Sequence, residues 1–362
     1  MKNFQCQGCG QLLFFENTKC ENCGRALGYL AESETISALE PDNADWRALA
    51  DNGLYRYCAN AEWGVCNWLI ASSLPDLYCR ACRHNRVVPD LTWEENVRRW
   101  RELENAKHRL FYGLMRLRLP LANREDDPEH GLMFAFLADD ETTDEPKVLT
   151  GHENGLVTLA LKEADSVVRV STMKEMGETY RTLLGHFRHE VGHYFWDVLV
   201  RDAGRLEDFR ALFGDEQADY REALQRHYQL GPVPQWQDRF ISAYASAHPW
   251  EDFAETWSHY LHIVDTLDTA AAMGLRLAPR EDPNLRARIA FDPYTAKTIE
   301  PLVDSWLPLT IAVNNLNRSM GQPDLYPFVL SKSVMEKLRF IQNLIIAAQP
   351  KKTRTSRKKM RA

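Results

Sequence analysis

All eight cysteines of this 362-residue chain lie within its first 82 residues. Cys6-x-x-Cys9 and Cys20-x-x-Cys23 stand ten residues apart, each pair followed at once by a glycine, Gly10 or Gly24. Glycine there lets the backbone turn tightly enough for its N–H groups to point at sulfur. Two such pairs form the tetrathiolate set of a zinc ribbon, with a short hairpin through Leu12-Leu13-Phe14-Phe15 between them. The remaining four, Cys58, Cys66, Cys79 and Cys82, are less regularly spaced. A second four-thiolate zinc site is the economical reading. A disulfide scaffold needs an oxidising compartment, and Cys79/Cys82 lack the surroundings of a thioredoxin-like redox pair. Both sites would be closed and structural, so that metal binding supplies folding free energy to segments too small to build a core.

The second constraint is His189-Glu190-x-x-His193. On a helix, residues four apart share a face, so two imidazoles can hold one zinc while Glu190 stands beside it as a base. Leu183, Leu184, Phe187, Val191, Phe195 and Leu199 supply a stripe that seats this helix, from about Glu178 to Val200, against a core. The pentapeptide alone also fits a helix with two buried, satisfied histidines. Asp197, four after His193, is placed to accept its ring N–H, and His186 reads as a packing or supporting residue. Leu199 stands where the metzincin pattern needs a third histidine, which excludes that class. A later helix offers carboxylates instead. Glu251 and Glu255 share one face, where two like charges on a bare helix would repel by about 0.2–0.5 kcal/mol. Engaging one with a dication and the other with an imidazole N–H removes that objection.

His-Glu-x-x-His followed by Glu-x-x-x-Glu resembles the gluzincin metallopeptidases, and Glu251-Asp252-Phe253-Ala254-Glu255 is similar to the ligand helix of anthrax lethal factor. That resemblance implies His189, His193 and Glu251 as zinc ligands, Glu255 as the group orienting a liganding histidine, and Glu190 as general base for a zinc-activated water. It also implies that Tyr244, seven before Glu251, polarises the scissile carbonyl. The run Tyr180 to His193 looks like an uncharacterised bacterial family of zinc-binding metallopeptidases with an N-terminal zinc-ribbon region, over nearly the whole chain.

Between these landmarks the pattern is simpler. Ala31 to Asp45 is polar and acidic and reads as a linker or exposed loop. Thr92 to Leu119 recurs at helical spacing, with Thr92 as cap and the helix packing across a sheet. Gly131–Ala138 and Leu156–Leu161 read as strands, either of which can offer an edge to an extended substrate, and His152 between them reads as a turn residue. Glu163–Met176, Tyr294–Asn317 and Phe328–Ala348 read as further helices. No run approaches the roughly 18 apolar residues of a membrane span. The N-terminus enters a cysteine pair with no room for a signal peptide, so the expectation is a cytoplasmic protein. Net charge is −7, but the last twelve residues hold seven Lys/Arg and no acid, which leaves −14 on the body. That balance disfavours a large nucleic-acid surface on the folded part.

The expected fold class is α+β: an N-terminal zinc-ribbon module, then a mostly helical zincin-like domain with a small sheet. The expected boundaries are residues 1–30 for the first four-cysteine ribbon, 31–90 for the second four-cysteine module, 91–349 for the metallopeptidase domain and 350–362 for a disordered basic tail. The expected function is peptide-bond hydrolysis with one catalytic and two structural zinc ions, the ribbons docking a protein substrate or partner. The alternative is a zinc-ribbon protein that binds nucleic acid or protein and carries an inactive peptidase-like domain.

Overall fold

The computed structural model describes residues 2–139, 148, 150–175 and 182–350. The basic tail from Lys351 and the helix start expected at Glu178 lie outside the described residues. The chain opens on a hairpin, β1 (Phe4–Gln5) and β2 (Leu12–Leu13), whose loop is the Cys6–Cys9 turn itself. Gly10 and Gly24 close the two cysteine turns at φ of +74° and +73°, where a side chain would be strained.

An antiparallel meander follows: β3 (Leu27–Leu30), β4 (Thr35–Asp42), β5 (Asp45–Ala48), β6 (Leu54–Tyr57) and β7 (Leu69–Ala71), paired in that order. The linker read at Ala31 to Asp45 is therefore largely a strand. Its polar composition conceals Ile36, Ala38 and Leu39, which are buried together with Ser37 because sheet neighbours and core cover both faces. The boundary expected at 30/31 falls inside the β3–β4 hairpin, which pairs Leu30 with Thr35.

The helical half is built around a four-stranded sheet ordered β10 (Gly151–Glu153), β11 (Leu156–Ala160), β9 (Met133–Leu137) and β8 (Asn85–Val87). β8, β9 and β11 run parallel, whereas β10 runs antiparallel to β11 and forms one edge. α1 (Glu94–Arg116) lies across this sheet, with Phe111 6.0 Å from Phe134 between ring centres. Thr92 does not cap α1. Asp90 accepts both its N–H and its hydroxyl, at 2.9 and 2.7 Å, and Trp93 takes the N-cap position without a side-chain bond.

α2 (Ser166–Glu175) precedes α3 (Leu183–Trp196), which continues as a π turn over Asp197–Arg201. Then come α4 (Leu206–Phe213), α5 (Tyr220–Leu230), the long α6 (Pro249–Ala272), the short pair β12 (Arg276–Leu277) and β13 (Ala287–Arg288), α7 (Glu300–Ser319) and α8 (Lys332–Ala348). α7 begins later than the expected Tyr294, because Asp292 caps a 3₁₀ turn over Pro293–Thr295 first. One apolar core runs from Phe4, Tyr29 and Trp68 through Trp100 and Phe111 to Phe187, Trp257 and Ile345. No helix among the described residues is long and apolar enough to cross a membrane.

Candidate metal centre

Thr182 caps α3 by accepting the Gly185 N–H at 3.0 Å, which starts the helix at Leu183, ahead of the histidine pair. α6 starts as firmly. His248 accepts the Trp250 N–H at 3.1 Å through Nδ1, Pro249 occupies the first turn, and Glu251 and Asp252 put charge where the helix dipole favours it. The two helices touch at Gly192. A Cβ there would lie 3.0 Å from Ala254 Cα and 3.3 Å from the Ala254 carbonyl oxygen. Only hydrogen at Gly192 lets α3 and α6 come this close, and their proximity brings His189 and His193 to Glu251.

His189 Nε2 and His193 Nε2 are 3.2 Å apart, and Glu251 Oε2 lies 2.9 Å from His189 Nε2. On its far side His189 Nδ1 meets Glu255 Oε1 at 2.7 Å, and Ser242 Oγ donates to Glu255 Oε2 at 2.6 Å. With Nδ1–H committed to Glu255, the neutral His189 ring presents a lone pair at Nε2. Glu251 Oε2 is buried and receives no aligned hydrogen bond. With both rings neutral, as ligation requires, two imidazole nitrogens and a carboxylate oxygen converge as the donor set of one cation. Two nitrogens held by one tetrahedral zinc sit about 3.3 Å apart at the usual bond lengths. The donor set fits zinc.

The charges are strongly perturbed. Burial opposes an imidazolium at His189, yet Glu251 and Glu255 outweigh it and hold its pKa well above the ordinary value. Burial likewise opposes the Glu251 carboxylate, and the His193 and His189 rings hold it well below the usual range. Glu190, half-buried, projects from α3 between the two histidines in sequence. Tyr244, in a 3₁₀ turn over Tyr244–Ser246, sets its ring 5.9 Å from that of His189. Burial, with Glu251 adding, pushes its phenol well above the usual value.

Asp197 does not take the expected place. Its carboxylate pairs with Arg201 at 2.7 Å, and His193 Nδ1 is buried without a protein partner. An arginine four residues on competes for the same carboxylate with a full charge. His186 pairs with Glu163 at 3.4 Å, away from the histidine pair. Several site neighbours were not legible. Tyr220 donates to Glu251 Oε1 at 2.6 Å, and Trp250 packs 4.1 Å from the His193 ring. His152 lies on the edge strand β10 rather than in a turn, with its ring stacked 6.2 Å over His193. Burial pushes His152 down to about 3, so it is neutral. The His248-Pro249 start of α6 was readable as a cap. Tyr220 and His152 had no local signal.

The two cysteine sets assemble as spaced. Cys6 Sγ lies 3.6 Å from Cys23 and Cys9 Sγ 3.6 Å from Cys20, while Cys66 and Cys79 are 3.8 Å apart. Sulfurs on one tetrahedral zinc are separated by about 3.8 Å, and a disulfide by only about 2.05 Å. All eight thiols are free. The second set is entirely buried, and His108 of α1 brings Nε2 to 3.4 Å from Cys66 and 3.6 Å from Cys82. Lys107, paired with Glu104 at 2.8 Å, supplies positive charge beside it. Burial pushes the Cys66 and Cys79 thiols well up; burial opposes ionisation at Cys82 too, but the other three cysteines and Lys107 outweigh it and hold that thiol well down.

Uncharacterised proteins of Mycobacterium tuberculosis (strain H37Rv) and Mycobacterium bovis are each 43% identical to this chain over 351 residues, covering 97% of both sequences. No solved structure matches it. Residues 3–93 match a zinc-ribbon domain and residues 96–344 match the family described as "Putative zinc-binding metallo-peptidase", and with that match over most of its length the chain belongs to this metallopeptidase family.

Proposed function

We propose that the protein is a zinc-dependent endopeptidase or related amide hydrolase of the gluzincin type. The observation that carries this reading is the convergence of His189, His193 and the buried Glu251, whose ligating atoms all lie within 4.8 Å of one another. When bound there, zinc supplies a Lewis acid that polarises the scissile carbonyl and acidifies water. Glu190 takes the proton of the attacking water and returns it to the leaving amine. Tyr244 keeps its phenolic proton at neutral pH and is the donor to the developing oxyanion, worth about 3 kcal/mol by comparison with single oxyanion donors. Ser242 and Glu255 hold His189 in the tautomer that ligation requires. Substrate lies extended along β10, the strand that carries His152 over the His193 ring.

The zinc-ribbon half is the docking element for a protein substrate or partner. Leu12 and Phe14 support this, being 45% and 63% exposed at the first cysteine hairpin. One catalytic and two structural zinc ions complete the assignment.

Glu190→Gln tests it. Zinc content is expected to be unchanged, while cleavage of a quenched fluorescent peptide library falls by at least about 100-fold, the usual share of a general base. Full zinc with undiminished turnover would sink the catalytic role of Glu190.

A further inference from the structure

Glu251 uses its two oxygens differently. Oε2 lies 2.9 Å from His189 Nε2, whereas Oε1 accepts the Tyr220 hydroxyl at 2.6 Å and lies 3.6 Å from His193 Nε2. Tyr220 is the first residue of α5, placed there by the Asp219 cap, which accepts the Glu222 N–H at 2.9 Å. Its ring stands edge-on to His248 at 5.2 Å and to Trp250 at 5.8 Å, the residues that open α6. His248 Nε2 in turn reaches the Ala218 carbonyl at 3.1 Å, so the start of α5 is pinned to the start of α6 on both sides of the phenol.

Building on the metallopeptidase reading, we propose that Tyr220 is a positioning residue for the zinc carboxylate. Its hydroxyl holds Glu251 Oε1 and thereby fixes the orientation in which the carboxylate meets the ion. A carboxylate free to swing binds a metal through one oxygen or two. Fixing one oxygen with a hydrogen bond would remove that freedom before any ion binds. A hydrogen bond to a ligand's second oxygen also fixes its orientation, and removing such partners weakens metal binding by about 10–100-fold. Tyr220 is distinct in task from Tyr244, whose ring stands on the His189 side of the centre.

The test is Tyr220→Phe in the full chain, which keeps the ring contacts with His248 and Trp250 and removes only the hydroxyl. Zinc affinity of the centre is read by chelator competition, taking as the centre's share the increment lost in His189→Ala. The expected result is a 10–100-fold weaker zinc affinity, a metal-free protein that still melts cooperatively, and a kcat within about tenfold of the parent once zinc is saturating. Glu251→Asp and the double variant complete a cycle. If Tyr220 works through Glu251, the double variant binds zinc no more weakly than Glu251→Asp alone. Independent, additive losses would overturn the assignment, and so would unchanged zinc affinity in Tyr220→Phe. Should the parent protein lose no zinc on His189→Ala, the metallopeptidase reading itself fails and takes this role with it.

Discussion

His189 faces opposite demands with and without metal. Without it, the ring sits between two carboxylates that hold its pKa well above the ordinary value despite burial. A raised pKa in the folded state stabilises the metal-free fold fully below about pH 6.5, the unfolded value, and that contribution is lost as pH rises through the folded value. Zinc needs the neutral ring, so loading the centre at pH 7 must expel that proton. Calorimetric titration of zinc in two buffers of different ionisation enthalpy is expected to show about one proton released per centre filled. Zero release would mean that His189 is already neutral between Glu251 and Glu255. Of the site, His189 and His193 were legible because their spacing places them within a turn of helix, whereas Glu251 entered only through the resemblance to gluzincins. Asp197 was misread for a related reason: spacing puts it near His193 but equally near Arg201, and charge decided between them.

The α3–α6 contact is where the site is held together. Gly192 makes it possible, since a methyl group there would meet Ala254 Cα at 3.0 Å and Trp257 Cβ at 3.3 Å. Neither backbone nor a buried tryptophan can give way cheaply. Gly192→Ala is expected to destabilise the fold by about 1–3 kcal/mol, the usual cost of overpacking, and to weaken zinc binding by spreading the two helices. Denaturant unfolding and zinc competition measure the two effects separately. Lost stability with unchanged zinc affinity would show that the ligands do not depend on this spacing. The apolar stripe of α3 was plain in the chain. The strand β4 was not, because neighbours on both faces bury a segment whose own composition is polar.

The zinc-ribbon and peptidase halves share a core, and the second cysteine set sits at their junction. His108 of α1 touches two of its sulfurs and packs 5.2 Å from Trp68, while α1 leans on the sheet and on Phe134. β8, contributed by the segment just after Cys82, is the outer strand of the peptidase sheet. Removing metal from this site should therefore unsettle both halves together. Cys79→Ser is expected to cost more than about 4 kcal/mol, the range reached when a metal is lost, and to abolish zinc binding at His189 as well. Cys9→Ser, at an exposed thiol of the first set, is expected to leave zinc binding at the His189 centre in place. Calorimetric melting with zinc analysis checks both, and two independent transitions in Cys79→Ser would refute the coupling. The sequence alone determined which side chains could hold metal, since Cys-x-x-Cys and His-x-x-x-His depend on geometry within a single turn. What only the tertiary structure decided was their company: Tyr220 on Glu251, His152 over His193 and His108 beneath the thiols. Those contacts join residues 26 or more positions apart, and packing across the shared core, which leaves no local period, is what selects them.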